Sequence, residues 1–122
     1  FLQSPKLLDK YYADRRNPLV AFAGQMTGVE GYVESTASGY LAAVAMAAKV
    51  QEREVPDFPK ETAIGALGQY VSDESIENFQ PMNINFSIIA PLEKRIRKKA
   101  EKNLAIAARS LDVIDRLVAK GI

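Results

Sequence analysis

Apolar residues recur along this chain in distinct rhythms, and each rhythm predicts a different element. Near the start, Ser4-Pro5 precedes Leu7, Leu8, Tyr11 and Tyr12. A capping hydroxyl, a proline at the first helical position and apolar steps of three and four predict a short helix, ending by the charged Asp14-Arg15-Arg16. After Asn17-Pro18 the rhythm becomes an unbroken run, Leu19-Val20-Ala21-Phe22-Ala23, closed by Gly24, which suits a strand buried on both faces. The backbone of a lone strand needs partners on both sides, so this run is expected to complete a sheet whose other strands lie elsewhere.

From Tyr32 to about Gln51 the chain is rich in alanine, free of proline and almost free of charge, as in a buried helix. Its start is marked by Thr27-Gly28-Val29-Glu30, which matches the capping box that satisfies two orphan amides at a helix N-terminus. The small residues Gly31, Ser35, Ser38, Gly39 and Ala42 fall near one face, where a backbone or a flat ligand can approach closely. Glu52 to Pro59 reads as a surface connection. Lys60 to Val71 places Ala63, Ile64, Leu67, Tyr70 and Val71 on one helical stripe, stopped by Ser72-Asp73. Between Asn78 and Pro91 periodicity fails, and an ordered loop packed by Phe79, Met82 and Phe86 is expected. Leu92 to Lys120 reads as a long helix with a seam of Ala100, Leu104, Ala107, Leu111, Ile114 and Val118, ended by Gly121. The expected architecture is mainly α, with one short buried strand and three or four helices.

Composition narrows the chemistry. The chain has 122 residues, 48% of them hydrophobic, enough for one modest core. Its 16 basic and 15 acidic residues give a formal charge of +1, so no global field draws it to nucleic acid or membrane. It has no cysteine and no histidine, which excludes disulfides, thiolate metal sites, a cysteine nucleophile and an imidazole base; no metal site is expected. The longest apolar stretch, Leu41 to Ala48, is far short of the ~20 residues of a membrane span, and Phe1 opens no signal peptide. A soluble protein, and a processed or cloned piece of a longer one, is expected.

Two constellations remain. A strand leading through glycines into a helix is a common way to bind phosphate or flavin groups on free amides and the positive end of the helix dipole. The spacing of Gly24, Gly28 and Gly31 is one residue too long for the dinucleotide fingerprint, and a P-loop lysine is absent, so from spacing alone a plain tight connection stands beside ligand binding. The second is Lys94, Arg95, Arg97, Lys98, Lys99 and Lys102, six basic residues in nine, opposed only by Glu101. It reads as phosphate contacts or as a solvated helix face, with no aromatic interleaved for base stacking. The pairs Asp73-Glu74 and Asp112 with Asp115 read as exposed helix ends and faces; Glu30 is read as the capping residue and Glu34 stays open.

The run Phe22-Ala23-Gly24-Gln25-Met26-Thr27-Gly28-Val29-Glu30-Gly31-Tyr32-Val33-Glu34-Ser35 resembles a signature of the TrmFO family of flavin-dependent tRNA methyltransferases. Similar to that family, in the same order, are Ser4-Pro5 with Leu7-Leu8, Pro59 with Glu61 to Gly65, and Asn78 to Asn83 with Asn85-Phe86; Ser87, Ala90 and Tyr40 depart from its pattern. The related GidA family of wobble-uridine enzymes is a second resemblance, which Gly31-Tyr32-Val33-Glu34 fits less well. A helical RNA-binding module without catalysis is the alternative of another class.

The resemblance implies the C-terminal part of an α/β, Rossmann-like FAD-binding protein, with residues 1–51 the edge of the FAD-binding domain and 52–122 a helical region. It implies a cytoplasmic enzyme that methylates C5 of the T-loop uridine in tRNA, using FAD, NAD(P)H and methylenetetrahydrofolate. No catalytic residue is expected here, since the family's catalytic cysteines lie outside this chain. Gly24, Gln25, Met26, Thr27, Gly28, Val29, Glu30, Gly31 and Tyr32 would border the flavin. Arg95, Lys98 and Lys102 would contact tRNA, and the partners would be tRNA and the remainder of the flavin-binding domain.

Overall fold

Four helices and one hairpin order the chain in the structure, a computed structural model that describes all 122 residues. Helix α1 spans only Ser4–Leu7. It stops early because the Asp9 carboxylate accepts hydrogen bonds from the amides of Tyr11 at 2.8 Å and Ala13 at 3.1 Å. Such a side-chain acceptor competes with helical bonding, and it draws the backbone into a turn where Tyr12 takes φ +66°. Ser4 caps nothing; its buried hydroxyl donates instead to the Thr27 carbonyl at 2.6 Å, and Gln3 holds the cap position.

Strands β1 (Ala13–Asp14) and β2 (Asn17–Ala21) pair antiparallel, with Ala13 opposite Ala21 and Asp14 opposite Asn17. The expected lone strand therefore has a partner within the chain. It is also not buried on both faces: Leu19 is 67% and Val20 41% exposed. A partner of two residues is too short to show an alternating pattern, and β1 covers only one edge of β2.

Helix α2 (Tyr32–Val50) buries Glu34, Ser38, Leu41, Ala42, Ala45 and Ala48 on one side only; Tyr32, Val33, Tyr40 and Val50 are exposed on the other. Helix α3 (Ala63–Val71) is capped by Thr62, whose hydroxyl accepts from the Gly65 amide at 3.0 Å, and ends at Ser72 as expected. The main core joins Tyr12, Val29 and Leu41 from before Gln51 to Phe58, Leu67, Val71, Phe79 and Leu117 from after it. The loop between Asn78 and Pro91 is ordered, as expected: Phe79 is buried against the rings of Tyr70 and Phe1, and Phe86–Ile88 forms a short 3-10 turn.

Helix α4 (Lys99–Ala119) begins at Lys99 rather than Leu92, and it is rotated from its predicted seam. Ile106 and Leu117 are buried with Val113 packed beside them, while Leu104, Leu111 and Val118 are 71, 65 and 60% exposed. Residues 106, 110, 113 and 117 repeat the same four-three spacing one position earlier, about 100° round the helix. Ser110 interrupts that row in sequence but belongs to it, since its hydroxyl accepts from the Ala63 amide at 3.3 Å. No helix is long and apolar enough to cross a membrane.

Candidate functional site

The segment between β2 and α2 is held through most of its carbonyls and several of its amides, that of Gly24 donating to the Ser38 hydroxyl at 2.8 Å. The Gly24 carbonyl accepts from the Thr27 amide at 2.9 Å and its hydroxyl at 2.7 Å, and that of Gln25 from the Gly28 amide at 3.0 Å. Met26 accepts from the Leu2 amide at 2.8 Å and Thr27 from Ser4 at 2.6 Å, so the chain entering α1 clamps the turn. Met82 straps the other side: its amide donates to the Gly28 carbonyl at 2.9 Å and its carbonyl accepts from the Glu30 amide at 3.0 Å. Gly31 accepts from the Ser35 amide at 3.0 Å.

Other donors of the turn are left without a partner. The amides of Gln25, Met26, Gly31, Tyr32 and Val33 meet no acceptor within the chain, and all five residues are exposed. At the first turn of a 19-residue helix such amides carry the positive end of the dipole. The turn thus leaves several donors free for an acceptor ligand, while most of its own acceptors are engaged.

The predicted capping box does not form. Helix α2 starts at Tyr32 with Gly31 as its cap, the Thr27 hydroxyl turns back to Gly24, and Glu30 is exposed. The carboxylate that serves the helix start is Glu34, left open by the sequence. Glu34 accepts from the Ile84 amide at 3.0 Å and the Asn83 side chain at 3.2 Å, while Asn83 also donates to the Glu30 carbonyl at 2.7 Å. The Glu34 amide itself and that of Ile84 hold its carboxyl below the ordinary value, with Asn83 adding to them against desolvation. A residue inside the first turn of the helix cannot be told from sequence to reach back, because its partners lie 49 and 50 residues away.

The glycines have intramolecular reasons. A Cβ on Gly28 (φ +97°) would lie 2.3 Å from the Phe79 ring, and one on Gly31 (φ +103°) 2.5 Å from the Glu34 carboxylate. Both close approaches are to the inside of the chain. Thr27, Gly28 and Val29 are buried and back the turn, whereas Gln25, Met26, Glu30, Gly31 and Tyr32 form its outer rim, with Gly24 half-buried at φ +80°. Tyr32 is 95% exposed and leads an apolar surface that continues through Val33, Thr36, Ala37 and Tyr40.

Arg95, Lys98 and Lys102 are exposed, as is the rest of the basic run, but they do not share one surface. Arg95 and Lys102 line an open cleft of about 980 Å³ at the start of α4, and Lys98 does not; it lies 4.0 Å from Glu101 instead. Phe86 also lines this cleft, a residue that sequence reading placed only in the loop core. No group of three or more acidic, cysteine or histidine side chains is placed to hold a metal ion.

Comparison with known proteins adds a family. The model of the family described as Glucose inhibited division protein A matches residues 1–54. Proteins named methylenetetrahydrofolate–tRNA-(uracil-5-)-methyltransferase TrmFO are similar over nearly the whole chain. That of Acetivibrio thermocellus is 48% identical over 98% of this chain and that of Bacillus cereus 50% over 97%. The one from Natranaerobius thermophilus is 48% identical over 98%. The chain spans 27–28% of the length of these relatives.

Proposed function

We propose that this chain, which belongs to the TrmFO family, forms one wall of the flavin site in a cytoplasmic enzyme that methylates C5 of a T-loop uridine in tRNA. The carbon donor would be methylenetetrahydrofolate, the cofactor FAD and the electron source NAD(P)H. The observation that carries this reading is the 48–50% identity to proteins named for that methylation across 97–98% of the chain.

The geometry supports it. The residues of the turn fit a flavin: five unpaired amides on exposed residues suit the electronegative edge of a ring or a phosphate, and Tyr32 stands free to cover a face. When bound, FAD would supply the electron transfer that reduces the one-carbon unit. In this reading the amides of Gly31, Tyr32 and Val33 orient the cofactor, Gln25, Met26 and Glu30 border it, and Gly24, Thr27, Gly28 and Val29 fix the backbone behind them. The open edge of β2 and the apolar outer face of α2 would be covered by the remainder of the flavin-binding domain, since a helix apolar on both sides is normally enclosed. A second reading, a GidA-like wobble-uridine enzyme, is favoured only by the family model over residues 1–54.

The test uses the full-length protein. Gly31→Val forces a Cβ against Glu34 at a backbone angle that costs a side chain ~1–3 kcal/mol, so FAD occupancy should fall roughly tenfold or more. Gly39→Val, whose Cβ meets only the Ala23 side chain at 3.9 Å, should retain it. Mapping the modified uridine separates the two enzyme readings, and a wild-type protein that purifies without flavin defeats both.

A further inference from the structure

We infer that the cleft between Phe86 and the start of α4 is a binding site for the phosphate backbone of an RNA strand, with Phe86 as a platform for a base or ribose. This rests on the tRNA reading above and goes beyond it by naming the surface. Lys94, Arg95, Arg97, Lys99 and Lys102 line the cleft against one carboxylate, Glu93, a net formal charge of +4 at one place on a chain of net +1. None of these five cations lies within ion-pair distance of an acidic side chain; Lys98, the one basic residue of the run outside the cleft, has Glu101. The unneutralised cations are therefore gathered on one concave surface.

The walls are tied together before any ligand arrives. Arg109 of α4 donates to the Pro91 carbonyl at 2.9 Å and also to that of Ala90, while the Ala90 amide donates to the Lys60 carbonyl at 3.0 Å. Phe86, 45% exposed, is held by the turn in which Asn85 accepts from the Ser87 amide at 2.9 Å. A volume of about 980 Å³ admits a nucleotide, and a groove lined with cations beside an aromatic ring is how single-stranded nucleic acid is held without reading its sequence. An anionic membrane presents phosphates on a plane, which a concave cleft with one ring at its rim fits less well.

The experiment is tRNA binding by the full-length holoenzyme against salt concentration, with flavin absorbance as the check of folding. Substituting Lys94, Arg97, Lys99 and Lys102 together by glutamine should flatten the log-log slope by about 0.7 to 0.9 for each phosphate no longer neutralised. Lys98→Gln should leave it unchanged. Phe86→Ala should weaken binding roughly 5- to 150-fold with an unaltered slope, because stacking releases no counterions. An unchanged slope in the quadruple variant, with wild-type methylation intact, overturns the cleft and spares the enzyme reading. Wild-type protein that neither binds nor methylates tRNA removes the reading itself, and the cleft with it. Quadruple-sensitive binding to phosphatidylglycerol vesicles, with tRNA binding unaffected, assigns the patch to membranes and also overturns the inference.

Discussion

The glycine turn and the cleft at the start of α4 both present positive potential to solvent, and they do so by opposite means. At the turn the potential comes from backbone: most carbonyls are engaged within the chain, the amides of Gly31, Tyr32 and Val33 are not, and the ionised group beside them, Glu34, is a carboxylate. At the cleft it comes from five cations on long side chains. Fixed amides act over the length of one hydrogen bond and select shape. Mobile cations act over a Debye length of ~8–10 Å and select charge. The first arrangement suits a small rigid ligand, the second a polymer of phosphates, and they should respond differently to every perturbation that separates backbone from side chain.

The largest separation should come from Phe79→Ala. Phe79 is 3% exposed, its ring lies 5.4 Å from that of Tyr70 and 6.0 Å from that of Phe1, and it fills the space behind Gly28. Emptying that space should destabilise the chain by ~3–5 kcal/mol, read from the denaturant midpoint. Amide exchange should quicken first at Thr27 to Glu30, whose straps run through Met82, close to Phe79 in the same loop. The start of α4 belongs to the smaller cluster of Ala66, Ile89 and Ile106, and its protection should change less. Equal loss in both places would mean that the two regions form one cooperative unit.

A smaller effect, and one that only the turn should show, concerns acid. Glu34 titrates below its ordinary value of 4.5 because its own amide and that of Ile84 favour the ion. A carboxyl lowered in the folded state contributes stability that is complete above the unfolded value and is lost as pH falls through the folded one. The tie between α2 and residues 83–84 should therefore be intact near neutrality and loosen only below pH 4.5. Glu34→Gln should lower the midpoint at neutral pH and flatten the acid limb of its pH dependence; Asp73, lowered by Ser75 just beyond α3, should supply the slope that remains. An acid limb identical in the variant would show that Glu34 carries no part of it. The one carboxylate of the cleft, Glu93, makes no such tie, so Glu34→Gln should leave RNA binding unchanged.

How much of this is legible in the sequence depends on the range of the interactions. Helices α2 and α3 and the stop at Ser72 follow from neighbours within four residues, and the pattern places both helices close to where they lie, although it starts α3 at Lys60 and does not single out the cap at Thr62. The glycine turn is recognisable, but its reasons are not: Gly28 makes room for Phe79 and Gly31 for Glu34 and Asn83, contacts that spacing cannot encode. The capping box misleads because Thr27 and Glu30 have the right types at the right interval, while the actual partner of Glu34 is a loop about fifty residues away. Strand β1 escapes because two residues carry no period. The basic run is plain in sequence, yet only folding separates Lys98 from the others and brings Phe86 beside them.

The smallest expected effect tests the orientation of α4, on which the cleft wall depends. The sequence offers two rows with the same four-three spacing: one through Leu104, Leu111 and Val118, the other through Ile106, Ser110, Val113 and Leu117. Pattern favours the first, since it contains no polar residue; the structure buries the second, with Leu117 9% and Leu111 65% exposed. Ser110 reconciles the choice, because its hydroxyl satisfies the Ala63 amide at the start of α3 and so belongs inside. In the 122-residue chain, Leu111→Ala should shift stability by no more than ~0.5 kcal/mol, as surface substitutions usually do. Leu117→Ala, the control on the same helix, should cost ~2–5 kcal/mol. If Leu111→Ala is the costlier of the two, α4 is turned by about 100° from the orientation described, Lys99 and Lys102 no longer face Phe86, and the comparison between a backbone site and a side-chain site loses its second member.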